Sequence, residues 1–302
     1  MRRTLLLKLA VLLVFIGVGA VLHAKTKNEP RSLYTYSFGG IEDMEVGDAV
    51  KMLGDLGYAG IAVEGRGEES LDRLDQYYQW SERKGDDFEV VNAFMAHRFS
   101  QYGFSDDAHK AAIDRLEGKD GTIWVWVKDD IQDGSITDEK VEAFIRGIFE
   151  YAVSKEVKVI LYPHYNTFYP TVEDALPLVE KINHPSFGIA VNLCHELMSD
   201  KGDTAALAHT FEIAKHRISS IIISGSQIEL DRTSVVTMNK STIKSLDNSE
   251  YDLRPFMRLI KESGFEGPIG FINFNLPTKP EDYLERSMKR WEELCREVGL
   301  FE

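Results

Sequence analysis

From residue 33 onward the chain alternates short apolar runs with amphipathic stretches, eight times over. That rhythm constrains the fold more than any single motif, because runs apolar on both sides must be covered on both faces. The runs 33–38, 58–63, 88–95, 122–127, 157–161, 187–191, 218–223 and 269–274 read as strands. Helical spacing separates them. Val46, Ala49, Val50, Leu53 and Leu56 make one stripe, stopped by Gly57; Leu71, Leu74 and Tyr78 make another. A weaker pattern covers 108–116, and Val141, Phe144, Ile145, Ile148 and Ala152 give a clear one. Thr171 stands as an N-cap before Val172, Ala175, Leu176, Val179 and Ile182. Further helices are expected over about 204–216, around Phe256, Leu259 and Ile260 up to Gly264, and from Leu284 through Met288, Trp291 and Leu294 to Val298.

Eight strand–helix units in about 265 residues meet the requirement of an α/β, (β/α)8 TIM barrel. No Pro/Gly/Ser-rich linker divides them, so residues 33–302 read as one domain. A doubly wound sheet would need a glycine-rich phosphate turn after its first strand, and Gly39-Gly40 alone does not make one. The polar stretch 227–250 is too long for an ordinary connection and reads as a lid or binding loop.

Ahead of the barrel, Arg2 and Arg3 precede a mostly apolar run over 5–22, interrupted by Lys8. This is the layout of a secretory signal peptide over residues 1–24, followed by a linker over 25–32. Cleavage is expected after Ala24, with Ala20 as the other site. An uncleaved membrane anchor is the alternative, but the uncharged part of the run is shorter than the roughly 20 residues a spanning helix needs. The chain is therefore expected to be exported, to the periplasm or outside the cell. Losing Arg2, Arg3 and Lys8 leaves 32 basic against 49 acidic side chains, a charge of −17. Such a chain repels nucleic acid. Cys194 and Cys295 fall in different elements and read as free thiols.

In a barrel of this kind chemistry gathers where strands end. Strand alternation turns Trp124, Trp126 and Lys128 inward on the fourth strand, Tyr162 and His164 on the fifth, Asn192 on the sixth and Glu64 on the second. His195 follows the sixth strand, Asn273 ends the eighth and His97 follows the third. Aromatic faces at a barrel mouth suit the apolar face of a sugar ring, and amides suit its hydroxyls. His164, His195, Glu64 and Lys128 are the catalytic candidates. Trp124, Trp126, Tyr162, Asn192, Asn273 and His97 are the substrate-binding ones. A structural role competes for each: Glu64 is placed to pair with Arg66, and the tryptophans could fill the barrel.

The segment Ile160-Leu161-Tyr162-Pro163-His164, the helix after Thr171, and Phe187-Gly188-Ile189-Ala190-Val191-Asn192-Leu193-Cys194-His195 resemble the middle of the xylose-isomerase-like sugar phosphate isomerase/epimerase barrels. The stretch 264–270 and Leu284 to Trp291 resemble an exported branch of that superfamily. The resemblance implies a divalent metal held by Glu, Asp, His and Glu on strands five to eight. The matching positions are Tyr162, Asn192, Ile222 and Asn273, with no anionic ligand among them. A hard dication needs carboxylate oxygens to offset its dehydration, so no metal and no other cofactor is expected.

Two functions are carried forward. One is a metal-independent isomerase, epimerase or lyase acting by proton transfer on an unphosphorylated sugar or sugar derivative. The other is a non-catalytic carbohydrate-binding barrel. A glycoside hydrolase would need two facing carboxylates, and Glu64 has only the loop residues Glu196 and Asp129 as partners.

Overall fold

A computed structural model of the protein describes residues 29–277 and 279–302. The expected signal segment lies outside the described residues. Eight parallel strands close into a barrel in chain order. They are β1 (Tyr34–Tyr36), β2 (Gly60–Glu64), β3 (Glu89–Arg98), β4 (Thr122–Lys128), β5 (Lys158–Leu161), β6 (Phe187–Asn192), β7 (Ile218–Ile223) and β8 (Ile269–Phe271). Eleven helices are described: α1 (Val46–Asp55), α2 (Gly67–Lys84), α3 (Phe99–Tyr102), α4 (Asp107–Leu116), α5 (Asp138–Ser154), α6 (Val172–Ile182), α7 (Leu193–Met198), α8 (Thr204–Ala214), α9 (Val235–Thr242), α10 (Arg254–Ser263) and α11 (Pro280–Val298). The short α3, α7 and α9 were not expected from hydrophobic spacing. All three lie in segments that leave the C-terminal ends of strands.

Alternation within the strands sorts the apolar residues into two layers. Ile123, Val125 and Val127 of β4, Val159 and Leu161 of β5, and Ile189 and Val191 of β6 belong to the large outer core between barrel and helices. Tyr34, Tyr36, Ala62, Trp124, Ile160, Tyr162, Ala190 and Ile222 form the separate inner core that fills the barrel. This interior is packed with aromatic rings, so it is a solid floor for whatever binds above it.

Local chemistry sets the ends of the elements. Thr171 accepts from the backbone N–H of Asp174, whose carboxylate reaches back to Thr171, a reciprocal capping box at the start of α6. Gly264 and Gly299 end α10 and α11 in the left-handed conformation. Gly39 turns the chain out of β1 at φ 65°; a Cβ there would stand 2.6 Å from the Asn273 carbonyl oxygen and 2.5 Å from the Tyr283 hydroxyl. Residues 29–32, read as linker, are tied to the body. Pro30 bridges to Phe301, and the Arg31 guanidinium donates to the carbonyls of Phe265 and Gly267, each at 2.8 Å. Both cysteines are buried and free.

Candidate active site

A cavity of about 530 Å³ opens at the C-terminal ends of the strands, a size suited to a small ligand. Its floor is Tyr36, Trp124 and Tyr162, and its walls carry Phe38, Phe94, Trp126, His164, His195 and Phe274. The lid closes one side. Within the stretch expected to be a lid, α9 forms behind a capping box at Ser234, and Val235, Asn239 and Ile243 face the cavity. The two ends of this segment are joined by paired hydrogen bonds between Gly225 and Lys244, each 3.0 Å.

The aromatic wall is continuous. Trp124 stacks on Tyr162 at 5.0 Å, and Trp126 stacks on His164 at 5.1 Å. Tyr162 meets His195 edge to face, and the His164 and His195 rings are 3.8 Å apart. His164 Nδ1 lies 2.7 Å from the Tyr165 carbonyl oxygen. A carbonyl can only accept, so Nδ1 carries the proton and Nε2 keeps a lone pair. Burial pulls His164 down to about 4; the Tyr165 carbonyl opposes this, while the charges of Lys128 and Arg98 add to it. Burial and the neighbouring His164 hold His195 well below its ordinary range. Both rings are neutral at pH 7. Burial raises the Tyr162 phenol well above its ordinary value, so it too is neutral.

Five charged side chains line the cavity: Glu42, Glu64, Arg66, Arg98 and Lys128. Lys128 and Arg98 sit at the ends of β4 and β3, where they are register partners, and both line the cavity. Burial lowers the Lys128 ammonium from its ordinary value, Arg98 lowers it further, and Asp130 only partly opposes them. On the neighbouring β2, Glu64 is held by the guanidinium of Arg66, with Nε at 2.7 Å. The pairing with Arg66 that competed with a catalytic role for Glu64 is thus present.

Seven of the ten candidates line one cavity: Glu64, Trp124, Trp126, Lys128, Tyr162, His164 and His195. The other three do not, and each departure has a cause. His97 points into the helical layer, against Phe99, His109 and Phe144, with Nε2 at 2.8 Å from the Gly103 carbonyl. A bulge in β3 pairs Ile61 with Val90 and Ala62 with Asn92, skipping Val91, which resets the strand's alternation. Asn273 is buried outside the cavity; its amide donates to the carbonyls of Tyr36 and Phe38 and to the Tyr283 hydroxyl, joining β8 to the turn after β1. Asn192 lies beneath the floor, donating to the Tyr162 hydroxyl and accepting from the Cys194 N–H at 3.0 Å as the N-cap of α7. Reasoning from sequence missed Arg98, the three phenylalanines and the lid residues. Counting on from Met95, an outward position, puts His97 outward and Arg98 inward, but the sequence alone does not mark Met95 as outward.

Of the two loop carboxylates, Asp129 caps the turn that follows β4. Glu196 is buried on α7, where one oxygen accepts from the Val172 N–H at 3.0 Å at the start of α6. Neither one lines the cavity. Among the described residues no helix is long and apolar enough to cross a membrane.

No curated protein matches the sequence. Solved structures do resemble the fold. The 3-keto-D-glucoside 4-epimerase of E. coli superposes with a TM-score of 0.66 at 11% identity, over 87% of this chain and 99% of that one. D-psicose 3-epimerase from Clostridium cellulolyticum H10, solved with D-tagatose, gives 0.63 at 11% identity, over 89% and 99%. D-allulose 3-epimerase from Methylomonas sp., in complex with D-allulose, gives 0.61 at 13%, over 93% and 100%. At such identities the likeness is one of fold. The sequence profile of one family matches residues 123–294, the stretch from β4 into α11 that carries the histidine pair and the lid. By that match and by its closed eight-stranded barrel, the chain belongs to the xylose isomerase-like TIM barrel family.

Proposed function

We propose that the protein is an exported isomerase, epimerase or lyase for an unphosphorylated sugar or sugar derivative, working by proton transfer without a metal. The observation that carries this reading is His164. Its Nδ1 is occupied by the Tyr165 carbonyl, so the Nε2 lone pair is the atom left for a substrate in the cavity. In the proposed reaction Nε2 takes the proton from a carbon next to a carbonyl, and the electron pair moves into an enolate. The Lys128 ammonium stabilises the oxygen of that enolate. Return of the proton from Nε2 to the neighbouring carbon gives an isomer, and its return to the opposite face after the planar enolate turns over in the cavity gives an epimer. Loss of a β-hydroxyl gives a lyase product. Solved structures that share the fold include sugar epimerases, two of them with D-tagatose or D-allulose bound.

The residues present do not fit the divalent metal that the family implies. Ile222 has no donor atom, and Tyr162 is a neutral phenol. Both polar atoms of Asn192 are engaged, and Asn273 faces away from the cavity. Among the described residues no three His, Cys, Asp or Glu side chains gather as a ligand set. Neutral groups do not repay the dehydration of a hard dication.

The test is solvent exchange in deuterium oxide, followed by proton NMR over a panel of unphosphorylated aldoses and ketoses, with metal analysis of the purified protein. The expected result is carbon-bound exchange that survives chelator and is lost in His164→Gln. Exchange that needs added metal, or a stoichiometric metal in the protein, would overturn the reading. The second reading, a binding barrel without catalysis, draws on the stacked aromatic wall. Tight sugar binding with no exchange would favour it.

A further inference from the structure

Lys128 and Arg98 present two cations side by side on adjacent strands, facing the same cavity. The chain as a whole is strongly acidic, with 49 acidic side chains against 35 basic ones, so this local excess runs against the overall composition. An enolate oxygen exists only during reaction, and one donor is enough to meet it. Two full charges that stand together beforehand repel each other, and a substrate that brings its own negative charge relieves that repulsion.

We propose that the cavity takes an acidic sugar, a uronate or another carboxylated sugar, whose carboxylate sits between Lys128 and Arg98 beside His164. This deepens the function proposed above and rests on it. Three observations support the assignment. First, among the described residues Lys128 has no carboxylate within ion-pair distance, whereas Glu64 is already held by Arg66. Second, the one carboxylate in ion-pair range of Arg98 among the described residues is Asp130, at 3.7 Å, and it also accepts from the Ser100 N–H at 2.9 Å. Asp130 therefore compensates a fraction of the pair. Third, the Arg98 guanidinium lies 5.9 Å from the Trp126 ring, which itself stacks on His164. The aromatic face and the cationic corner thus adjoin, as the ring and the carboxylate of one sugar acid do.

The arrangement also bears on the base. The same two charges help to hold His164 down, and a bound carboxylate screens them. Burial remains the main cause that holds the ring low, so the bound carboxylate restores its basicity only in part.

The test is calorimetry on the purified protein with matched pairs: D-glucuronate against D-glucose and D-galacturonate against D-galactose, with D-glucose 6-phosphate and acetate alongside. At low salt at least one uronate is expected to bind about tenfold or more tighter than its neutral partner, the range of one charge-assisted contact. Lys128→Met and Arg98→Met should each remove most of that preference, read within each variant as the ratio of uronate to neutral-sugar affinity, and Lys128→Arg should restore the ratio. Neutral sugars binding as well as uronates would overturn the acidic-substrate proposal and leave the sugar barrel standing. A preference that survives both methionine variants overturns the assignment to this corner. Tighter binding of the sugar phosphate overturns the carboxylate. Binding of none of these ligands overturns both proposals.

Discussion

The imidazole rings of His164 and His195 lie 3.8 Å apart, centroid to centroid, over a floor of Trp124 and Tyr162. Two imidazolium ions at that separation would repel strongly with little water to screen them. The pair is therefore neutral near pH 7. With His164 at about 4 in the free protein, the acid limb of a kcat/KM profile is expected near pH 4, with a plateau from about pH 5.5 upward. An acid limb near 6.5 in the rate profile would show that His164 is not the base.

His109 on α4 is buried beside His97 and Phe144, and burial pulls it down to about 3. Unfolded, it titrates near its ordinary 6.5. Between those values the unfolded chain binds more protons, so stability falls as pH drops from 6.5 toward 3. At pH 4.5 this histidine alone costs about 2–3 kcal/mol relative to pH 7. His109→Leu should shrink the difference between urea midpoints at pH 7 and pH 4.5. An unchanged difference would mean that the ring is already hydrated in the folded state.

Glu196 gives the opposite slope. Burial raises it to about 7, against an ordinary value of 4.5. The folded state holds its proton longer, so the stability it lends is complete below 4.5 and is lost as pH rises through 7. Glu196→Gln keeps an acceptor for the Val172 N–H and cannot ionise. Its melting temperature should change less between pH 6 and pH 8.5 than that of the parent. Parallel melting curves for the two proteins across that interval would refute the assignment.

Asn192 joins the floor to α7. Asn192→Ala removes an N-cap and leaves the Tyr162 hydroxyl without that donor. The expected loss is about 2 kcal/mol, or roughly 4–8 °C in thermal melting. Sugar affinity should weaken with it, because Tyr162 loses its tether while remaining on the cavity wall. Calorimetry of melting and of binding checks both parts; a stable variant with weakened binding would separate them.

Arg232 anchors the lid, donating to the Met198 carbonyl at 2.9 Å and pairing with Asp200 at the end of α7. These bonds touch no barrel strand. Arg232→Ala is expected to speed amide exchange over 227–244 and to raise ligand off-rates several-fold, with melting shifted by no more than about 2 °C. A large loss of stability would show that the lid is part of the folding core.

The barrel was legible because its strands are buried on both faces and its helices carry regular stripes. On β4 and β5 the alternation is unbroken, so the facing of Trp124, Trp126, Lys128, Tyr162 and His164 could be read residue by residue. On β3 it could not. Val91 has no partner on β2, and that one-residue slip exchanges the sides on which His97 and Arg98 emerge. Asn273 misled for a related reason. Ile269 and Phe271 face the outer core and Ile272 the inner one, so Asn273 continues the outward series. The lid helix α9 was illegible because it is held by Ser234, Thr237 and side-chain bonds, not by an apolar stripe.

The hydrogen bonds between Gly225 and Lys244 close a ring in the backbone at the foot of the lid. Everything from Gln227 to Ile243 therefore leaves the barrel and returns to it at the same rung, like an insertion spliced at a single address. Such a segment can be lengthened, shortened or replaced by an unrelated sequence while strand pairing below is untouched. The part of the cavity wall that the lid supplies is thus modular, open to redesign by transplanting loops onto a scaffold that never has to refold around them.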